Sequence, residues 1–157
     1  MELRVGICDD SQTDAAYVET SLAAWAQERA LALHVGRFPS AESFLFPYAE
    51  EKRFDLLLLD IEMGQLDGVT MAKEIRRDNQ DVQIVFITGY SDYIAEGYEV
   101  AAHHYLHKPV NGDKLRAVLD RAVDKVRRRE RALTLEQGGE MVRIPLGEIR
   151  YLEVCRN

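Results

Sequence analysis

Short apolar segments rich in β-branched and bulky residues alternate along this chain with longer segments whose apolar residues recur at helical spacing, and few folds admit that alternation. The short segments run from Leu3 to Cys8, Leu33 to Phe38, Phe54 to Leu59, Gln83 to Thr88 and His104 to His107. Near-continuous apolar runs such as Leu56-Leu57-Leu58-Leu59 belong to strands covered on both faces, which is the situation of a parallel sheet flanked by helices. The pattern predicts an α/β domain of five parallel strands and five helices, ending near Arg128. Between the first two strands Ala15, Val18, Leu22 and Trp25 mark one helix, with Ser11 and Thr13 both available as N-caps. Leu115, Val118, Leu119, Ala122, Val123 and Val126 form the apolar stripe of a last helix, entered through Asn111-Gly112-Asp113.

The 157 residues suffice for one domain with a real core, and 46% hydrophobic with 30% charged residues describes a globular chain. No apolar run approaches the roughly 20 residues that a bilayer span needs, and Met1-Glu2-Leu3-Arg4-Val5 does not open a secretory signal. A cytoplasmic protein without membrane contact is expected. Cys8 falls in a core strand and Cys155 beside the chain end, so no disulfide framework is expected. A net charge of −7 argues against general nucleic-acid binding by this chain. Lys125-Val126-Arg127-Arg128-Arg129-Glu130-Arg131 is the local exception, read either as the dipole-favoured end of a helix or as a basic linker near DNA.

In an open parallel sheet, sites form at the carboxyl ends of the strands. The first strand ends in Asp9-Asp10 and the third in Asp60, the fourth ends in Thr88, and Lys108-Pro109 follows the fifth. Three carboxylates brought together in a half-buried place repel unless a positive charge lies among them. A hard divalent ion such as Mg2+ meets that need, with Asp10 and Asp60 as direct ligands, Asp9 acting through water and the backbone carbonyl of Glu62 completing the protein's share. A carboxylate so placed can attack a phosphoryl group and form an acyl phosphate. Lys108 would offer a point charge to a phosphoryl oxygen, and Thr88 a hydroxyl. Singly, each of these residues is an ordinary cap or loop residue; the set, in this order on these strands, points to phosphoryl chemistry at Asp60. His103, His104 and His107 lack the pattern of a zinc site, since they fall on a strand without cysteine partners.

Asp9-Asp10, Asp60 within Leu-Asp-Ile-Glu-Met, Asp67-Gly68, Thr88-Gly89, Tyr105 and Lys108-Pro109 together resemble the receiver domain of two-component response regulators. The resemblance covers about residues 3 to 128. It implies a doubly wound, flavodoxin-like sheet of strand order 2-1-3-4-5, a sensor histidine kinase that presents phosphohistidine, and a domain that catalyses only its own phosphorylation and dephosphorylation. It also implies a switch in which Thr88 moves toward the phosphate and Tyr105 turns inward. The output face would comprise residues 90 to 100, the fifth strand and the last helix, and would serve a homodimer or an effector domain. Many receivers carry proline where this chain has Gly64, so the loop beside Asp60 is expected to be freer. Tyr90 and Glu62 flank the path of water to the phosphate, and Tyr90 is expected to shield it.

After Arg131 the period changes, and Leu133 to Asn157 reads as short strands around Gly138-Gly139. Ile144-Pro145-Leu146-Gly147-Glu148-Ile149-Arg150-Tyr151-Leu152-Glu153, with the wording Ile-Thr-Gly-Tyr-Ser-Asp-Tyr at residues 87 to 93, resembles LytTR-type transcriptional regulators of the LytR/AgrA kind. The expected organisation is a receiver over 1–128, a linker over 129–132 and the N-terminal, β-rich fragment of a LytTR-type DNA-binding domain over 133–157. DNA binding would belong to a longer parent. Two rival functions are a magnesium-dependent phosphatase passing through an aspartyl phosphate, which would need room for a substrate, and a phosphate-independent interaction module that keeps the fold as a scaffold.

Overall fold

The computed structural model describes residues 1–48, 53–63, 66–89 and 100–137, and the chain divides into two compact units, Met1–Val118 and Leu119–Asn157. The first unit contains a five-stranded parallel sheet built from β1 (Glu2–Cys8), β2 (Ala32–Phe38), β3 (Leu56–Leu59), β4 (Gln83–Thr88) and β5 (His104–His107). Its strand order is β2-β1-β3-β4-β5, the order expected of a flavodoxin-like sheet. Four helices are present among the described residues: α1 (Gln12–Glu28), α2 (Ala41–Tyr48), α3 (Gly68–Arg76) and α4 (Gly112–Gln137). The remaining expected helix, between β4 and β5, falls on residues 90–99, outside the described residues.

All four leucines of β3 are buried, which is why that strand reads as an unbroken apolar run. Leu57 and Leu59 join Cys8, Ile84 and Phe86 in one cluster with Phe44 of α2 and Val69, Met71, Ala72 and Ile75 of α3. Their alternates Leu56 and Leu58 are equally buried, since successive side chains of a strand point to opposite faces. Each such leucine contributes about 1.5–3 kcal/mol by leaving water. Tyr48 stacks on Phe44 with ring centroids 5.2 Å apart.

The helix boundaries follow local chemistry. Ser11 caps α1, its Oγ accepting from the Asp14 N–H at 3.2 Å, so Ser11 rather than Thr13 starts that helix. Asn111 opens α4 by accepting from the N–H groups of Asp113 and Lys114. All six residues of the predicted stripe of α4 are buried. At the far end of α3, the Arg76 guanidinium donates to the carbonyls of Val100 at 2.6 Å, Asn79 at 3.2 Å and Ala101 at 3.3 Å. This fixes the chain as it returns toward β5.

The C-terminal expectation needs correction. Helix α4 runs on to Gln137, so residues 129–132 are helical, and Leu133–Gln137 is helix where a strand was expected. The basic run lies within the helix, not at its end. Arginine, glutamate, alanine and leucine are all good helix formers, and Ala132 is buried. The strands expected beyond Gln137, with Cys155, lie outside the described residues. Among the described residues no helix is long and apolar enough to cross a membrane.

Candidate phosphoacceptor site

Parallel pairing of Cys8 with Leu59 brings the ends of β1 and β3 side by side, and the ladder continues one step further as the Asp60 N–H donates to the Cys8 carbonyl at 2.8 Å. The Asp9 N–H is similarly held by the Phe38 carbonyl at 3.1 Å. The register therefore delivers Asp9, Asp10 and Asp60 to one place, where their carboxylate oxygens lie within 4.8 Å of one another. Asp9 and Asp60 are buried, at 6% and 7% exposure, whereas Asp10 is exposed.

Lys108 is brought in from the opposite side of this cluster. Its N–H donates to the Thr88 carbonyl at 2.9 Å, extending the pairing of β4 with β5, and the Lys108–Pro109 peptide is cis. Its ammonium donates to Asp9 Oδ2 at 2.8 Å, Asp14 Oδ2 at 2.9 Å and Asp60 Oδ2 at 3.1 Å. An ammonium has three protons, and these three acceptors match them. Burial by itself would lower the Lys108 pKa, but the hydrogen bonds to Asp9, Asp14 and Asp60 outweigh it and raise the value above the ordinary lysine range. Asp9 is pushed the other way from most paired carboxylates: its burial raises its pKa despite the hydrogen bonds from Lys108 and the Ser11 N–H. At Asp14 the hydrogen bond from Lys108 prevails and holds the carboxyl below its usual range.

The remaining groups are arranged around Asp60. The Glu62 N–H donates to Asp60 Oδ1 at 3.3 Å, while the Glu62 side chain is exposed. Thr88 is buried, at 2% exposure, at the end of β4 and in register with His107. Tyr105 is half-buried, its ring stacked on Phe86 at 5.1 Å and packed against the core cluster. Asp67 caps α3, its Oδ1 accepting from the Thr70 N–H at 2.7 Å. The next residue has to be glycine, because a Cβ at Gly68 would collide with the Asp60 carbonyl oxygen. The Gly68 N–H meanwhile donates to the Ile61 carbonyl at 2.8 Å. The Asp-Gly pair thus seats the start of α3 directly on the loop that follows Asp60.

The structure brings together Asp9, Asp10, Asp60, Thr88 and Lys108 as strand-end residues, with Glu62 reaching Asp60 through its backbone N–H. Tyr105 lies on β5, paired with Phe86 of β4. Tyr90, Tyr93, Tyr98 and Gly64 lie outside the described residues. Asp14 had not been anticipated. It stands in the first turn of α1, three residues after the Ser11 cap, a position that faces back toward the strand end from which the helix departs.

The donor set is chemically suited to a hard divalent cation. It consists of oxygens alone, and four carboxylates face a single ammonium, leaving an excess of negative charge. Asp9 already uses Oδ1 on the Ser11 N–H at 2.9 Å and Oδ2 on Lys108. Asp60 likewise uses Oδ1 on the Glu62 N–H and Oδ2 on Lys108, so both oxygens of each buried acid hold one hydrogen bond, while the third acid, Asp10, is exposed.

An open parallel α/β sheet of order β2-β1-β3-β4-β5 with acids and a lysine at its carboxyl edge defines a flavodoxin-like domain, and comparison with known proteins narrows it. The family model for the response regulator receiver domain matches residues 5–120, and the chain belongs to that family. Among characterised relatives, it is 38% identical over 71 residues to the transcriptional regulatory protein NatR of Bacillus subtilis, covering 45% of this chain and 30% of NatR. It is 30% identical over 137 residues to the transcriptional regulatory protein ZraR of Salmonella typhimurium, covering 86% of this chain and 28% of ZraR. The chain thus spans less than a third of the length of these relatives. Solved structures share the fold at lower identity. The REC domain of AraT, a response regulator from Geobacillus stearothermophilus, superposes with a TM-score of 0.71 at 23% identity over 83% of this chain and 99% of that one. The BeF3-activated DrrB receiver domain does so with a TM-score of 0.64 at 22% identity over 79% of this chain and 99% of that one.

Proposed function

We propose that this chain is a phosphorylation-controlled switch that accepts a phosphoryl group on Asp60 from the phosphohistidine of a sensor histidine kinase. The observation that carries this reading is the position of Asp60: a buried carboxylate at the sheet edge, 3.1 Å from the Lys108 ammonium and within 4.8 Å of Asp9 and Asp10. In the transfer, an Asp60 carboxylate oxygen forms the new O–P bond while the P–N bond of phosphohistidine breaks, and the departing imidazole keeps the bonding electrons and takes up a proton. Asp10 and Asp60, with Asp9 through water and the Glu62 carbonyl, would hold magnesium, whose chemistry there is to neutralise charge between carboxylate and phosphoryl oxygens. Lys108 supplies a second positive charge to the phosphoryl oxygens. Thr88, at the neighbouring strand end, offers a hydroxyl to the phosphorylated site, and Tyr105 is the aromatic partner that changes packing with it. A difference of a few kcal/mol between two conformations is enough for this modification to shift the population.

On this reading the domain is not an enzyme toward other molecules and turns over only its own phosphate. A regulator of transcription is the role that suits a receiver with relatives such as NatR and ZraR. The LytTR-like residues 144 to 153 support a parent with a DNA-binding domain of that type, active in the cytoplasm. Incubation with magnesium and a small acyl-phosphate donor tests the central claim. Intact mass should show one phosphoryl adduct, lost in Asp60→Ala; an adduct that persists in Asp60→Ala, or none in the unaltered chain, overturns the reading.

A further inference from the structure

Lys108 has three acceptors, and they do not survive phosphorylation equally. Asp60 Oδ2 is the partner of Lys108 on the phosphoacceptor itself, and Asp60 loses its charge as it becomes an acyl phosphate. Asp9, the second acceptor, belongs to the cluster suited to a divalent cation, so a cation there competes with the ammonium for the same carboxylate. Asp14 differs from both. It is outside that cluster, it comes from a helix instead of a strand end, and its side chain is 46% exposed while it holds Lys108 at 2.9 Å. An ammonium and a divalent cation repel each other across a few ångströms, so a site that uses both needs an anion on the ammonium's far side.

We propose that Asp14 is a positioning residue that keeps the Lys108 ammonium at the phosphoacceptor when cation and phosphoryl group have claimed its other two partners. The geometry gives the reason. With Asp9 and Asp60 otherwise engaged, one ammonium proton stays on Asp14 and the others are free to turn to incoming phosphoryl oxygens. Without Asp14, a flexible four-carbon stem would carry the charge toward solvent. The lowered pKa of the Asp14 carboxyl keeps it ionised and available for this role at neutral pH. Nothing in the role requires Asp14 to touch the phosphoryl group.

The inference rests on the proposed phosphorylation of Asp60, and a double-mutant cycle keeps the two separable. Phosphorylation rates by a small acyl-phosphate donor, in saturating magnesium, would be measured for the unaltered chain, Asp14→Ala, Lys108→Ala and the double variant. Asp14→Ala should slow phosphorylation by about tenfold, of the size expected for a charge-assisted hydrogen bond, and should have no further effect once Lys108 is alanine. The isosteric Asp14→Asn, which leaves α1 undisturbed, should show the same sign and the same disappearance. Equal slowing in both Lys108 backgrounds, or no slowing by either Asp14 variant, overturns the assignment. If the unaltered chain is not phosphorylated on Asp60, it is the underlying reading that fails.

Discussion

Gly68 and Asp60 are in backbone contact: a Cβ at Gly68 would overlap the Asp60 carbonyl oxygen and come within 3.0 Å of its carbonyl carbon and 3.1 Å of Ile61 Cα. No flexible side chain is available to yield, since all three are main-chain atoms. Gly68→Ala should therefore move α3 or the loop after Asp60 and cost about 1–3 kcal/mol, the range for overpacking. Urea unfolding checks this through its midpoint. An unchanged midpoint would mean that α3 is not seated as described.

The excess of carboxylates over cations makes a ligand prediction. Magnesium should raise the thermal midpoint of the unaltered chain, by an amount equivalent to about 2.7 kcal/mol at one hundred times its dissociation constant. In Asp10→Asn and Asp60→Asn the response should shrink, because each removes one negative charge from the carboxylate cluster. Calorimetry at several magnesium concentrations measures it, and an undiminished response in both variants would place the ion elsewhere.

Asp9 and Asp14 should influence stability with opposite pH dependence. The Asp9 pKa is raised in the folded state, so Asp9 contributes stability that is present below its unfolded pKa and lost as pH rises through the folded value. Asp14, whose pKa is lowered, contributes above its unfolded pKa and loses that contribution as pH falls through its folded value. Asp9→Asn should accordingly stabilise the magnesium-free protein at neutral pH, with the gain disappearing on acidification below the aspartate range. Urea midpoints of both proteins across that range test the sign; a gain independent of pH contradicts it.

Cys8 is fully buried in the strand before the site, and burial, reinforced by the negative charge of Asp9, raises its thiol pKa well above the ordinary range. Thiolate is the reactive form. An alkylating reagent should leave Cys8 unmodified in the native protein and label it in denaturant, as read by peptide mass spectrometry. Rapid native labelling would show that β1 opens locally.

The strands were legible because a sheet covered on both faces demands uninterrupted apolar runs, and Leu56 to Leu59 leaves no other reading. Asp9, Asp10, Asp60, Thr88 and Lys108 were legible for a related reason: strand ends are where such sheets build sites, and polar residues directly after apolar runs announce themselves. Asp14 was not, because attention to strand ends passes over a helix. The available signal was its place three residues after a serine cap, where a side chain faces back toward the preceding strand. The extension of α4 was missed because Leu133-Thr134-Leu135 alternates like a strand, while the helix-forming run before it carries the helical register onward. The surroundings of Asp9 were not legible either, because sequence does not order in space the Ser11 N–H and the Lys108 ammonium that occupy its two oxygens.

Helix α3 is anchored at both ends: at Gly68 it rests on the backbone of Asp60, and at Arg76 it grips the carbonyls of Val100 and Ala101. At about 1.5 Å of rise per residue its nine residues make a strut of roughly 13 Å. A helix this short resists bending, so a displacement of the chain at Asp60 cannot be absorbed within it. Where α3 moves with Asp60, the far end of the helix carries that motion to the stretch of backbone that leads into β5.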